Sequence, residues 1–180
     1  MLEPLNIWRY VAKNYSYIRK DYNLIPLITS FFIIPVIITI LVTLSLESSG
    51  IDKIIINSLT FFSIIIGFLI NVLVLILTKK NDFNDTELKK KVETLKEHLG
   101  FNIINSIVVG IILVILILFY GEYELFINIK TLNINISQAI TLFLSAHFVM
   151  LLLNIIRKFG VYVEIITQNK FIKERIVNPK

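Results

Sequence analysis

Four stretches of this chain, residues 24–46, 54–78, 101–120 and 136–156, contain no Asp, Glu, Lys or Arg. Each is long enough, at ~1.5 Å per helical residue, to cross a hydrocarbon core of ~30 Å. Inside a bilayer a backbone amide finds no water, so an uncharged run of this length is stable as a helix that satisfies its own hydrogen bonds. The chain is 56% hydrophobic, more than a soluble domain of this size needs for its core. These features predict an all-α integral membrane protein with four transmembrane helices plus cytosolic amphipathic helices.

The segments between and around the spans carry the charge. Residues 79–100 read KKNDFNDTELKKKVETLKEHLG, the longest charged run in the protein. Asn84, Asp85, Thr86 and Glu87 form a capping-box start, and Gly100 reads as a C-terminal stop, so a water-exposed helix is expected between the second and third spans. Leu88, Val92, Leu95 and Leu99 recur at steps of four, three and four, a narrow seam that buries one face. That seam is a candidate partner or subunit interface, or packs on neighbouring cytosolic helices of its own chain. The pairs Glu87 with Lys91 and Lys89 with Glu93 support the outer face. Lys89, Lys90 and Lys91 are either a solvated face or a surface for anionic lipid or an acidic partner.

At the N-terminus, Leu5, Trp8, Val11, Tyr15, Ile18 and Tyr22 lie opposite Arg9, Lys13, Ser16 and Lys20, the pattern of an amphipathic helix lying in the membrane interface. The expected organisation is an interfacial helix at 1–23, a transmembrane hairpin at 24–78, the charged helix at 79–100, a second transmembrane pair at 101–156 with an outer loop at 121–135, and a helical tail at 157–180. Gly160 is a candidate bend in that tail, and residues 121–135 alternate weakly, as in a short extended excursion. Of the 18 Lys and Arg residues, 16 fall in the N-terminal segment, the charged helix and the C-terminal tail. The positive-inside bias then predicts both termini in the cytosol of a cell whose inner membrane holds the chain. Topology and anionic lipid account for the basic balance, and no direct nucleic-acid partner is expected.

Within the spans the informative residues are the polar ones. Pro35 lacks an amide hydrogen and leaves the Phe31 carbonyl without its helical partner, which predicts a kink, with Thr39 and Thr43 on the same side. Ser63, Gly67 and Asn71 fall on one stripe of the second span; Asn102, Ser106 and Gly110 form a like stripe on the third. Small residues allow close backbone approach, so these two stripes are expected to pack together or against copies of themselves. The fourth span has two polar sides, Ser137, Thr141 and Ser145 on one and His147 with Asn154 on another. The second side is expected to face another subunit or a wet cavity, which makes all five candidate sensor or pore-lining residues. His147 has two readings: a neutral imidazole hydrogen-bonded to a neighbouring helix, or a sensor or pore-lining group.

No catalytic constellation is present: there are no paired intramembrane carboxylates, no HExxH, no phosphate loop and no cysteine. Neither enzyme chemistry nor a cofactor or metal is therefore expected, and a proton relay or ion-coupled carrier is disfavoured by the uncharged spans. The abundance of Ile and Asn suggests an AT-rich prokaryotic coding sequence. In span number, length, inward termini and this compositional bias, rather than in any motif, the chain resembles the four-span membrane subunits of prokaryotic antiphage systems, notably the KwaA family of the Kiwa type. The resemblance implies a homotetramer in the inner membrane that senses infection at the envelope and signals to a soluble cytosolic partner; it assigns no site residue. The alternative from the residues alone is a holin-like or abortive-infection pore former.

Overall fold

The computed structural model of the chain describes residues 7–21, 23–79, 86–119 and 136–177, which are helical apart from short links. The outer loop at 121–135, Asn84 and Asp85 of the capping box, and the chain ends lie outside the described residues. The helices are α1 (Ile7–Asp21), α2 (Leu24–Ile28), a π-helical turn Thr29–Ile33, α3 (Ile34–Ser45), α4 (Ser48–Thr78), α5 (Thr86–Leu118) and α6 (Ile136–Val177). Four helical stretches are long and apolar enough to cross a membrane. This is an all-α, multi-pass membrane protein.

Two elements expected as pairs are single rods. The charged helix and the third span join without a break in α5, with Gly100 buried inside it. A glycine costs a helix interior only about 1 kcal/mol. The packing of the flanking Leu99 and Ile103, both fully buried, offsets that cost. Likewise α6 runs through Gly160 as one helix.

The core explains the order of packing. In α4, Ile55, Phe62, Leu69 and Ile76 are buried, a strict repeat of seven that presents one seam, as in a coiled coil. This seam meets α5, where Leu99, Ile103, Leu113 and Ile117 are buried in the same cluster. The expected stripe of α4 does not do this work: Ser63, Gly67 and Asn71 are all exposed, and nothing lies within 4 Å of where a Gly67 side chain would begin. The matching stripe on α5 is buried as expected. A Cβ added to Gly110 would sit 2.9 Å from Ile66 and 3.0 Å from the Phe148 ring, so α4, α5 and α6 meet at that glycine. Phe148 in turn stands edge-on to Phe62, with centroids 5.5 Å apart.

Although α3 and α4 are joined by a tight turn, α3 packs mainly on α6. The fourth span is therefore the central helix, with α3 and the π turn on one side and α5 with α4 on the other. That position accounts for its two polar sides without a second subunit. At the α6 start, Gln138 Nε2 donates to Ser48 Oγ and to Asp52 Oδ1, both at 2.8 Å. At the other end, which carries most of the Lys and Arg and is called here the basic end, the Lys96 ammonium donates to the Lys79 carbonyl and ties the end of α4 to α5. The outer surface exposes Ile56, Ile64, Phe68, Leu77 and Leu118, a solvation pattern for hydrocarbon rather than water.

Candidate functional site

Near the basic end, α1 lies along α5 in the opposite direction, and the site begins with how it is held there. Its buried face is Val11, Asn14, Tyr15 and Ile18, with Asn14 and Ile18 fully buried. Tyr17 stacks on His98 with centroids 4.1 Å apart. Lys13 pairs with Glu97 at 3.0 Å and sits 4.4 Å over the Phe101 ring. The Tyr17 hydroxyl donates to the same carboxylate at 2.7 Å. The Tyr17 hydrogen bond, then the Lys13 ammonium, hold the Glu97 carboxyl below its ordinary range, and the Glu97 bond raises Lys13 above its own. The pair is open to water, so it orients α1 more than it stabilises the fold.

One turn deeper lies a node that joins three segments. Pro35 cannot donate to the Phe31 carbonyl, and the chain responds with the π turn, in which the Ile34 amide reaches back to the Thr29 carbonyl. The carbonyl left over is taken by His147 Nδ1 at 2.8 Å. A carbonyl oxygen only accepts, so Nδ1 carries the hydrogen. In the neutral ring Nε2 then accepts from the Tyr15 hydroxyl, also at 2.8 Å. Phe31, Phe32 and Phe143 surround the imidazole with ring centroids between 5.8 and 6.3 Å away. A histidine on α6 thus bonds the proline-freed carbonyl and the amphipathic helix at once. Hydrogen bonds of this kind contribute roughly 0.6–2 kcal/mol each in a membrane. Of the two sequence readings, the hydrogen-bonded imidazole is the one the geometry realises.

The same region holds a set of buried amides. Asn14, Asn102 and Asn105 are at most 1% exposed, and none of their side-chain nitrogen or oxygen atoms has a hydrogen-bond partner. Asn105 approaches the Tyr15 hydroxyl, which donates to His147 and keeps lone pairs that can accept from an amide. Buried amides are paired in nearly all proteins, so Asn14 and Asn102 mark where a further donor or acceptor belongs. Asn154 and Lys158, one turn apart on α6, are also buried, each 4% exposed.

Other predicted residues are placed as follows. Val92 and Leu99 are buried, 1% and 0% exposed, and Leu88 and Leu95 half-buried. Of the two sequence readings of the seam, packing within its own chain is the one seen for Val92 and Leu99. Lys89, Lys90 and Lys91 are exposed, with Lys91 paired to Glu87 at 2.7 Å as the spacing predicted. Thr141 is buried and Ser137 and Ser145 half-buried. The Thr141 and Ser145 hydroxyls donate to carbonyls one turn back, those of Ser137 and Thr141. Among the described residues no three His, Cys, Asp or Glu converge on a metal position. Asn14, Asn105, Tyr15 and Gln138 were not singled out as site residues; an Asn in the middle of an otherwise apolar helix face was the available signal for the first two. Comparison with protein-family models, curated proteins and solved structures finds no match.

Proposed function

We propose that this chain is an oligomeric, membrane-embedded sensor or scaffold subunit that couples the inner membrane to a soluble cytosolic partner. Both termini and the basic end face the cytosol on this reading, as the distribution of Lys and Arg implies. The observation that carries it is the continuity of α5 and α6. Each runs as one rod from among the spans into the charged segments, so a shift of the buried node is delivered to the cytosolic ends of the same helices. The node itself is built to feel α1, because Tyr15, the Phe31 carbonyl and His147 belong to three different helical segments. A junction of this kind, where one imidazole bonds two other segments, suits transmission between them.

The resemblance in profile to antiphage membrane subunits supports placing this coupling in a prokaryotic defence system. The oligomeric part draws on Asn71, which is exposed on the outer face of α4 and there presents an amide to hydrocarbon unless a second copy covers it. With the Leu88–Leu99 seam occupied internally, the partner surface on this reading is the exposed Lys89, Lys90 and Lys91. The pore-forming alternative draws less support, because the hydroxyls of the fourth span are tied to its own backbone.

The test is purification of the full chain from its host in mild detergent, with mass spectrometry of co-purifying proteins and mass photometry of the particle. A homo-oligomer carrying a soluble protein, lost from a Lys89→Gln, Lys90→Gln, Lys91→Gln variant, is the expected result. A particle that repeatedly carries no soluble protein, together with membrane depolarisation on induction, refutes the reading in favour of a pore.

A further inference from the structure

The helix α4 carries two heptad rows, and the fold of one chain uses only one of them. Phe62, Leu69 and Ile76 belong to the seam buried against α5. Two residues before and after each of these, about 200° round the helix, stand Thr60, Ile64, Gly67, Asn71, Val74 and Thr78, at steps of four, three, four, three and four. All six are exposed. They form a continuous row on the side of α4 turned away from the rest of the bundle, with the spacing by which one helix packs along a parallel neighbour.

What the row contains separates it from the other outer faces. Those of α3, α5 and α6 expose residues such as Leu41, Ile111, Ile115 and Leu153, which hydrocarbon solvates. Of the asparagines in the spans, Asn102, Asn105 and Asn154 are buried, while Asn57 and Asn71 are exposed. Asn57 stands near the end of its span, within reach of water. The uncharged stretch 54–78 is about 37 Å long, and centred on a hydrocarbon core of ~30 Å it puts Asn71 about 7 Å inside. No hydrogen bond to the Asn71 side chain is found among the described residues. So short a side chain cannot reach the surface from that depth, and an unpaired amide in hydrocarbon is strongly disfavoured. One turn before it nothing lies within 4 Å of where a Gly67 side chain would begin, so a neighbouring backbone can come close beside the amide.

We propose that this row is the contact between two copies of the chain, which pack α4 against α4 about a two-fold axis normal to the membrane, with the two Asn71 amides bonded to each other. The inference rests on the oligomeric part of the reading above and names its surface. Copies inserted with the same topology run α4 in the same direction at the same depth, so a shared face sets each residue of the row opposite itself. Asparagine is suited to meet itself, because one amide offers both donor and acceptor. An asparagine in a heptad row fixes parallel pairing and register for that reason. A different membrane protein would have to bring an amide to this depth by coincidence; a second copy has one there by identity. Gly67 lets the helices approach, and Ile64 and Val74 pack on either side of the amide pair.

The test places the full chain in vesicles of phosphatidylethanolamine and phosphatidylglycerol. The chain has no cysteine, so Ser49→Cys, exposed at the start of α4, takes donor or acceptor dyes, and energy transfer is followed as added lipid dilutes the protein. Transfer should rise linearly with acceptor fraction, as for a pair. Asn71→Leu should move dissociation to about 3- to 30-fold higher protein density, the loss of one membrane hydrogen bond. Gly67→Val should abolish transfer, and Leu41→Ala, on the outer face of α3, should leave it unchanged. At one protomer per micelle the pair is absent, so the same substitutions should leave unfolding of the protomer as it was, which separates splitting from misfolding. Ile64→Cys and Val74→Cys should each join two copies on oxidation, whereas Phe61→Cys and Ile70→Cys, exposed but about 80–100° round the helix, should not. Cross-linking through those two positions alone, or an oligomer unchanged in Asn71→Leu and Gly67→Val, overturns the assignment and leaves an oligomer formed by another face. A wild type that stays monomeric at every density overturns it together with the oligomeric reading. None of these readouts needs a cytosolic partner, so failure of the coupling function is scored separately.

Discussion

Gly110 provides the sharpest test of how the helices are rotated. Alanine at this position puts a methyl 2.9 and 3.0 Å from two Ile66 carbons and 3.0 Å from Phe148. Ile66 is half-buried and its tip can turn, but the Phe148 ring is fully buried and braced by Phe62. Overpacking of this kind costs about 1–3 kcal/mol. Replacing a mid-helix glycine by alanine returns about 0.8–1 kcal/mol, so Gly110→Ala should lose between about zero and 2 kcal/mol. Gly110→Val adds two more methyls at the crossing and regains only a few tenths from propensity, for a net loss of about 2–3 kcal/mol. That is about a 30- to 140-fold fall in the folding equilibrium. Gly67→Val is the matched control, because nothing lies within 4 Å of it; its change should stay within about 0.5 kcal/mol. Reversible unfolding of the purified protein in mixed micelles, titrated with a denaturing detergent, measures all three. Damage from Gly67→Val and none from Gly110→Val refutes the arrangement, since α4 would then face α5 through its Ser63, Gly67 and Asn71 stripe.

The other expected outcomes concern the node and the docked α1. His147→Ala leaves the Phe31 carbonyl and the Tyr15 hydroxyl without partners and a hole among three phenyl rings, at a cost of about 2–4 kcal/mol, whereas Tyr15→Phe costs only about 0.6–2 kcal/mol; equal costs in the same unfolding assay contradict the shared node. The carboxyl of Glu97 is held below its ordinary 4.5, so its share of α1 docking is complete above about that pH and is lost as pH falls through the lowered value. The chain has no cysteine, so a single cysteine replacing buried Ile18 reports undocking by thiol labelling: its protection should weaken in acid, and Glu97→Gln should remove that acid limb. Gln138→Leu loses both bonds to Ser48 and Asp52 and should lower stability by about 1–2 kcal/mol, without changing labelling at position 18.

What could be read from the sequence divides along a physical line. Span existence follows from transfer of apolar length into lipid, a property of each segment alone, and the four spans of the bundle correspond to the four uncharged runs. A proline removes a hydrogen bond wherever it stands, so the freed Phe31 carbonyl was also legible. Its recipient was not, because His147 lies 116 residues away and nothing local connects them. Helix rotation was the hardest quantity. In water the apolar stripe turns inward by itself, but a span that is apolar all round has no such preference, and lipid solvates the aliphatic faces of α4 equally well. Shape then decides, and the repeat Ile55, Phe62, Leu69 and Ile76 offers a better seam than three small residues. On α5 the small-residue rule succeeded because its glycine lies where bulky Ile66 and Phe148 converge. On α4 it does not select the face that meets α5, because the bulky residues are themselves that seam. The amphipathic α1 carries a second signal beside its aromatic face: Asn14 lies in the middle of the face buried in the bundle, a placement that makes sense only once α5 brings Asn102 and Asn105 to the same region.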